Sequence, residues 1–227
     1  MAPTVDPRSE ESREPGEADW KSRLDAGAGE LGFDLDQSQL DTLWRYAHML
    51  RERNAHVNLT SIVSWDGILT LHMLDSLSLV PHLGAARRVV DVGTGGGFPG
   101  IPLAVACPQR DFTLIDGTQK KIRFVAEGIA ALDIRNARAL AARAESFDGR
   151  DFDAVIVRAV GTLGEVVHNA GRLVAPHGRL LAMKGRAPDD EVRVLPRGWH
   201  AEVMPLRVPG LDAERHLVSI SRQRRGP

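Results

Sequence analysis

A single cysteine, Cys107, stands in 227 residues, so no disulfide can form within the chain. That scarcity favours a reducing compartment, and the expected location is the cytoplasm. The opening stretch MAPTVDPRSEESREPGEAD has neither a basic n-region nor an apolar h-region, so it does not read as a secretory signal. No apolar run is long enough to span a bilayer, which excludes a helical membrane protein. The eight histidines fall at no metal-ligand spacing, so no metal is expected. Net charge is nearly absent, with 29 basic and 30 acidic residues. The balance is uneven along the chain. Residues 1–19 carry six acids and two arginines, which leaves 27 basic against 24 acidic residues in the rest. A mildly basic body is compatible with nucleic acid and does not establish it.

What is present suits one soluble domain with a short extension: 43% apolar and 26% charged residues over 227 positions. Residues 1–19 are rich in Pro, Gly, Ser and Glu and read as a disordered acidic tail. Residues 20–85 read as a small helical cap. Within it Leu40, Leu43, Trp44, Ala47 and Leu50 follow the spacing of one helix face, with Ser38 as N-cap candidate, and a second helical stretch spans 66–83. Residues 86–227 change texture. Short β-branched runs (88–92, 111–116, 137–142, 152–160, 178–185) alternate with helical stretches (100–107, 119–134, 163–174), and two more strands close the chain at 201–208 and 215–223. That order predicts an α/β fold with a doubly wound, mostly parallel, seven-stranded sheet and one antiparallel edge.

In such a sheet ligands bind beyond the carboxyl ends of the strands. The first strand-to-helix turn is VVDVGTGGGFPGIP, Val89 to Pro102. Gly93, Gly95 and Gly97 form a D-x-G-x-G-x-G pattern with Asp91, whereas the third glycine of a dinucleotide G-x-G-x-x-G fingerprint would fall on Phe98. Bare backbone lets a ligand approach closely, and Asp91 favours a cationic ligand end. Asp116 closes the second strand, 25 residues after Asp91, where an acid accepts both ribose hydroxyls of an adenosine. S-adenosylmethionine and a dinucleotide both suit this arrangement.

The stretch VVDVGTGGGFPGIPLAVACPQRDFTLIDGTQKKIRFV resembles the bacterial small-subunit (16S) ribosomal RNA guanine-N7 methyltransferases, the family also called glucose-inhibited division protein B. NLTSI (Asn58–Ile62), HMLDSL (His72–Leu77), RAESF (Arg143–Phe147), VRAV (Val157–Val160), MKG (Met183–Gly185) and ERHLVSI (Glu214–Ile220) extend the resemblance over about residues 35–220. It implies a class I methyltransferase fold, Rossmann-like, with a helical N-terminal extension. It implies S-adenosylmethionine as methyl donor and N7 of one guanosine in small-subunit ribosomal RNA, or in a ribosomal particle, as acceptor. Motif by motif, the resemblance puts Gly93, Phe98, Ala144, Glu145 and Arg158 at the cofactor. It departs at Gly117, Leu71 and Arg53, where the family usually has serine, arginine and tryptophan.

Absent motifs agree with N7 chemistry. The position after the fourth strand reads VRAV in place of the (D/N)PP(Y/F) loop of amino-group methylation. Cys107-Pro108 reverses the Pro-Cys of cytosine C5 chemistry. Guanine N7 carries an in-plane lone pair and loses no proton on attack, so it calls for alignment and charge stabilisation without a dedicated base. No catalytic residue is assigned, and Arg158 and Lys184 are the candidates nearest the substrate. Lys120, Lys121, Arg123, Lys184, Arg186 and His216 are the RNA-contact candidates, a role that would be salt-sensitive. A monomer is expected. The other readings are a small-molecule methyltransferase, a nicotinamide-dependent oxidoreductase, and an RNA-binding protein without catalysis.

Overall fold

A computed structural model of the chain describes residues 14–158 and 161–223. Most of the expected acidic tail, residues 1–13, lies outside them, as do Ala159 and Val160 of VRAV. Seven strands form one sheet in the order β3-β2-β1-β4-β5-β7-β6. They are β1 (Arg88–Val92), β2 (Asp111–Asp116), β3 (Ala137–Ala141), β4 (Phe152–Arg158), β5 (Val174–Lys184), β6 (Trp199–Pro205) and β7 (His216–Arg222). Strands β1 to β5 pair in parallel, and β7 runs antiparallel between β5 and β6. The chain builds outward from β1 to β3, then crosses back to β4 beside β1. The crevice at the β1 and β4 tips is therefore the switch in strand order, where this fold class binds ligands.

Both sheet faces are buried, and the period-2 alternation of each strand sorts its side chains between them. Val89, Phe112, Leu114, Ala154, Ile156 and Leu181 pack on one face. Val90, Val92, Ile115, Val155, Val157 and Leu180 pack on the other. Five N-terminal and central helical elements cover the first face: α1 (Glu17–Glu30), α2 (Gln37–Val57), α3 (residues 65–77), α4 (Gly100–Ala106) and α5 (Gln119–Ala131). The second face is covered by α6 (Leu163–Ala170) through Leu163, Val166, Val167 and Ala170. A short α7 (Asp189–Arg193) precedes β6.

The helical cap is continuous with the sheet. Trp20, Leu24, Leu43, Tyr46 and Leu50 share one buried cluster with Val89, Ile101, Leu114 and Phe124. Three local details differ from the sequence reading. Helix α1 begins at Glu17, inside the segment assigned to the tail. The N-cap of α2 is Asp36, whose carboxylate accepts from Gln39 N while the Gln39 side chain accepts from Asp36 N, both at 2.8 Å. This capping box satisfies two free N–H groups and outcompetes Ser38, which lies inside the helix. The helix expected at 163–174 stops at Ala170, a tight turn spans Gly171–Leu173, and β5 starts at Val174.

Candidate active site

The glycine turn is slung between two acids. Asp91 ends up 1% exposed, and its Oδ2 accepts from Thr94 Oγ1 at 2.6 Å and Gly100 N at 2.9 Å. Asp116 Oδ2 accepts from Gly95 N at 3.0 Å and its Oδ1 from Thr118 N at 2.7 Å. Gly93 and Gly95 have φ values of 74° and 58°, in the region that favours glycine. Gly97 shares that conformation and is bare for a second reason as well. Its φ is 90°, and a Cβ there would collide with the Tyr46 hydroxyl and meet Ile101 Cγ1 at 2.8 Å. Tyr46, from α2, donates to Gly96 O at 2.8 Å and so braces the turn from the cap side. Gly97 thus makes room for Tyr46 and does not line either of the clefts described next.

Two clefts meet at Gly93. The smaller, about 430 Å³, is lined by Asp116, Gly117, Ala144, Glu145, Val157 and Glu165 among others. The larger, about 590 Å³, runs past Gly93, Thr94, Gly95, Gly96 and Phe98 to Arg158, Lys184 and Arg215, with Thr60 and Leu71 on the cap side. The predicted cofactor residues Gly93, Gly95, Phe98, Asp116, Ala144, Glu145 and Arg158 therefore divide between two adjoining spaces. Asp91 lies behind the turn and acts on the clefts through it. A nucleoside with an amino-acid arm fits this arrangement: a carboxylate at the β2 tip for ribose hydroxyls, bare positive-φ backbone at the junction, and behind it Asp91, whose buried Oδ1 has no partner among the described residues.

Arg158 anchors the larger cleft. Its Nη1 donates to Leu71 O at 2.9 Å and to Asp75 Oδ2 at 3.0 Å, and its Nη2 lies 3.3 Å from His72 Nδ1. The guanidinium lies 5.6 Å from the centre of the Phe98 ring, on which His72 stacks at 4.3 Å. Asp75, 3% exposed, also accepts from Arg215 Nε at 3.0 Å through its other oxygen. One buried carboxylate thus ties the β4 tip, the cap and the segment before β7 together. His72 and Asp75 belong to α3, whose middle, Ile68–Leu74, is a π-helix. A π-turn rotates the side chains that follow it and recurs at functional sites.

The remaining candidates are placed as follows. Lys184 lines the larger cleft, but its Nζ donates to Gly161 O at 2.8 Å and pairs with Glu191 at 2.9 Å. It holds the loop before α6 as well as facing the site. Arg186 is exposed beyond the cleft lining, and Lys120, Lys121 and Arg123 occupy the first turns of α5, also outside both linings. His216 sits in the β-ladder opposite Lys184 and Pro205, half-buried, with Nδ1 unpartnered among the described residues. Arg53, at the end of α2, pairs with Glu127 of α5. No group of three or more His, Cys, Asp or Glu side chains among the described residues is arranged to hold a metal ion. Sequence reasoning missed Tyr46, Thr60, Asp75 and Arg215 as parts of this site.

Burial sets the charge states. Desolvation pushes His72 down to about 3, assisted by Arg158, so the ring is neutral at physiological pH. Desolvation pushes Asp91 up to about 6, against the hydrogen bonds from Thr94 and Gly100. A carboxyl raised in the folded state contributes stability that is complete below its unfolded value near 3.8 and lost as pH rises through about 6. Asp91→Asn keeps an acceptor oxygen for Thr94 and Gly100 and removes that loss. The variant is expected to gain about 3 kcal/mol over wild type above pH ~6.5, with no gain below pH ~4. Urea titrations of the cofactor-free proteins from pH 4 to 8 check this. A pH-independent difference would contradict the assigned burial.

Comparison with known proteins bears on what this crevice serves. A family model described as GidB, rRNA small subunit methyltransferase G, matches residues 39–218. Ribosomal RNA small subunit methyltransferase G of Ralstonia nicotianae is 44% identical over 214 residues, spanning 90% of this chain and 96% of that protein. The protein of the same name from Stenotrophomonas maltophilia is 43% identical over 213 residues, spanning 92% and 99%. Among solved structures, TrmN from Thermus thermophilus gives a TM-score of 0.52 at 20% identity, covering 65% of this chain and 48% of that one. A SAM dependent methyltransferase from Aquifex aeolicus gives 0.52 at 17% identity, covering 68% and 92%. At those identities the structural likeness speaks to the fold, which is the class I, Rossmann-like methyltransferase architecture.

Proposed function

The chain belongs to the rRNA small subunit methyltransferase G family, and from that premise we propose that it transfers the methyl group of S-adenosylmethionine to N7 of one guanosine in small-subunit ribosomal RNA. The observation that carries the reading is the pair of clefts meeting at Gly93 inside the matched region. The smaller holds the adenosine, with Asp116 accepting from the ribose. The larger takes the methionine arm and, through its open side, the target base.

The cofactor supplies an electrophilic methyl group on a sulfonium sulfur. The protein's part is alignment and electrostatics. N7 attacks with its in-plane lone pair, and no proton leaves the base in that step, so no general base is required. The residues near the crevice agree: His72 is neutral and fully engaged, and Asp91 is sealed behind the turn. Arg158 and Arg215, both held by Asp75, keep positive charge at the mouth where RNA phosphates enter. Lys184 adds a third cation at the same rim.

The protein works as a monomer in the cytoplasm and needs no metal in this reading. One chain supplies both clefts, the lone cysteine is buried, and among the described residues no helix is long and apolar enough to cross a membrane. The test is transfer of a labelled methyl group from S-adenosylmethionine to purified small-subunit RNA and particles, with large-subunit RNA as control. Label in small-subunit RNA alone is the expected result. Label in neither, with binding of a nicotinamide cofactor, would replace this reading with the oxidoreductase one.

A further inference from the structure

Thr60 stands in the cap loop at the edge of the larger cleft, opposite the glycine turn. A threonine hydroxyl ordinarily offers one donor and two acceptor positions, and it turns to suit its neighbours. Here that freedom is gone. Thr60 Oγ1 accepts from Ile62 N at 3.0 Å and lies 2.8 Å from His72 Nε2. The tautomer of His72 decides the second interaction. The tautomer in which Nδ1 accepts is the one that satisfies Arg158 Nη2, which can only donate and faces Nδ1 at 3.3 Å. In that tautomer of the neutral ring, Nε2 carries the one hydrogen and donates to Thr60. Both acceptor positions of Oγ1 are therefore taken. Its own hydrogen has no acceptor among the described residues.

The loop that carries this hydroxyl is pinned. Asn54 Oδ1 accepts from Leu59 N at 2.6 Å and from Thr60 N at 2.9 Å, and Asn54 Nδ2 donates to Thr60 O at 2.9 Å. His72 is clamped in turn by its stacking on Phe98. In this arrangement the chain Arg158, His72, Thr60 leaves one donor, the Thr60 hydroxyl hydrogen, at the edge of the cleft.

We propose that Thr60 donates this hydrogen to O6 of the target guanine and so selects guanine over adenine. The proposal rests on the N7 reading above. On the edge that carries N7, guanine offers two acceptors, N7 and O6. N7 must keep its lone pair free for the methyl group, which leaves O6 for the protein. Adenine presents an amino donor at the same place. Facing a hydroxyl with both lone pairs occupied, that amino group finds no acceptor, and a buried donor without a partner is what makes hydrogen-bonding sites discriminate strongly.

The experiment compares wild type, Thr60→Val and Thr60→Ser on reconstituted small-subunit particles. The particles carry either guanosine or 2-aminopurine riboside at the methylated position. 2-Aminopurine keeps N7 and lacks O6. Single-turnover rates and the dissociation constant of S-adenosylmethionine are both measured. On guanosine, Thr60→Val is expected to be slower by about tenfold or more, and Thr60→Ser to stay within about threefold of wild type. The guanosine to 2-aminopurine rate ratio should fall by about tenfold from wild type to Thr60→Val, with cofactor affinity unchanged. An unchanged ratio overturns the proposal. Weakened cofactor binding in Thr60→Val also overturns it, by giving the hydroxyl to the methionine carboxylate. If Thr60→Val does not fold, a Thr60→Ser protein with wild-type rates and a wild-type enzyme indifferent to 2-aminopurine would overturn it as well. A wild type that makes no 7-methylguanosine defeats the N7 reading itself, which is a separate result.

Discussion

Arg158→Ala is expected to lower single-turnover methyl transfer by about 100-fold or more. The side chain does four things at once. It donates to Leu71 O and Asp75, faces His72 Nδ1, and lies over the Phe98 ring. A planar fork with several donors can satisfy these together, whereas an ammonium group is a single point. Removing it leaves the buried Asp75 to Arg215 alone. Truncating one partner of a buried pair costs about 3–5 kcal/mol, divided here between stability and the shape of the cleft. Arg158→Lys keeps the charge and is expected to lose about tenfold or more while remaining folded. Thermal melts of each variant separate the two shares. Activity that falls only with the folded fraction would make Arg158 a structural brace, and wild-type rates in both variants would remove it from the site.

Asp116→Ala is expected to weaken S-adenosylmethionine binding by about 1.5–3 kcal/mol, or roughly 10- to 150-fold in dissociation constant. Two losses contribute. One is the charge-assisted acceptor for the ribose. The other is the brace on the turn, because Asp116 Oδ2 accepts from Gly95 N. Asp116→Asn separates them, since its amide oxygen can still accept from Gly95 N while the charge is gone. Calorimetric titration should place Asp116→Asn between wild type and Asp116→Ala. Unchanged affinity in a folded Asp116→Ala protein would move the residue out of the cofactor's reach.

Much of the fold was legible because strand and helix periods differ. The β-branched runs at 88–92 and 111–116 became β1 and β2, the run at 152–160 became β4 over its described part, Phe152–Arg158, and the closing pair became the antiparallel β6 and β7. The glycine turn was legible for a similar reason, since an acid followed by spaced glycines after an apolar run has few other uses. What the sequence hid was the division of labour among those glycines. Gly93 and Gly97 look alike in a string, yet one joins the two clefts and the other clears space for Tyr46, 51 positions earlier. The cluster of Thr60, His72, Asp75, Arg158 and Arg215 was hidden in the same way. Its members come from the cap, β4 and the segment before β7, and only tertiary packing joins them through successive contacts of 2.8 to 3.3 Å. Asp36 was a different kind of miss. The Asp36 and Gln39 spacing was readable as a capping box, but Ser38 stands at the same three-residue spacing before an acid, Asp41. Lys184 was rightly placed at the sheet edge, but its partner Glu191 lies on α7, a helix too short to announce itself by period.

The central claim is that the methyl group goes to N7 of a single guanosine in small-subunit RNA. N7 methylation gives the purine a fixed positive charge and makes its ring open to borohydride reduction, after which aniline cleaves the strand at that nucleotide. Small-subunit particles lacking the modification should be incubated with the purified protein and S-adenosylmethionine, then reduced, cleaved and mapped by primer extension. One new protein-dependent stop at a guanosine is the result this account predicts. Methyl incorporation without a cleavage stop would place the group on another atom, and no incorporation would contradict the account outright.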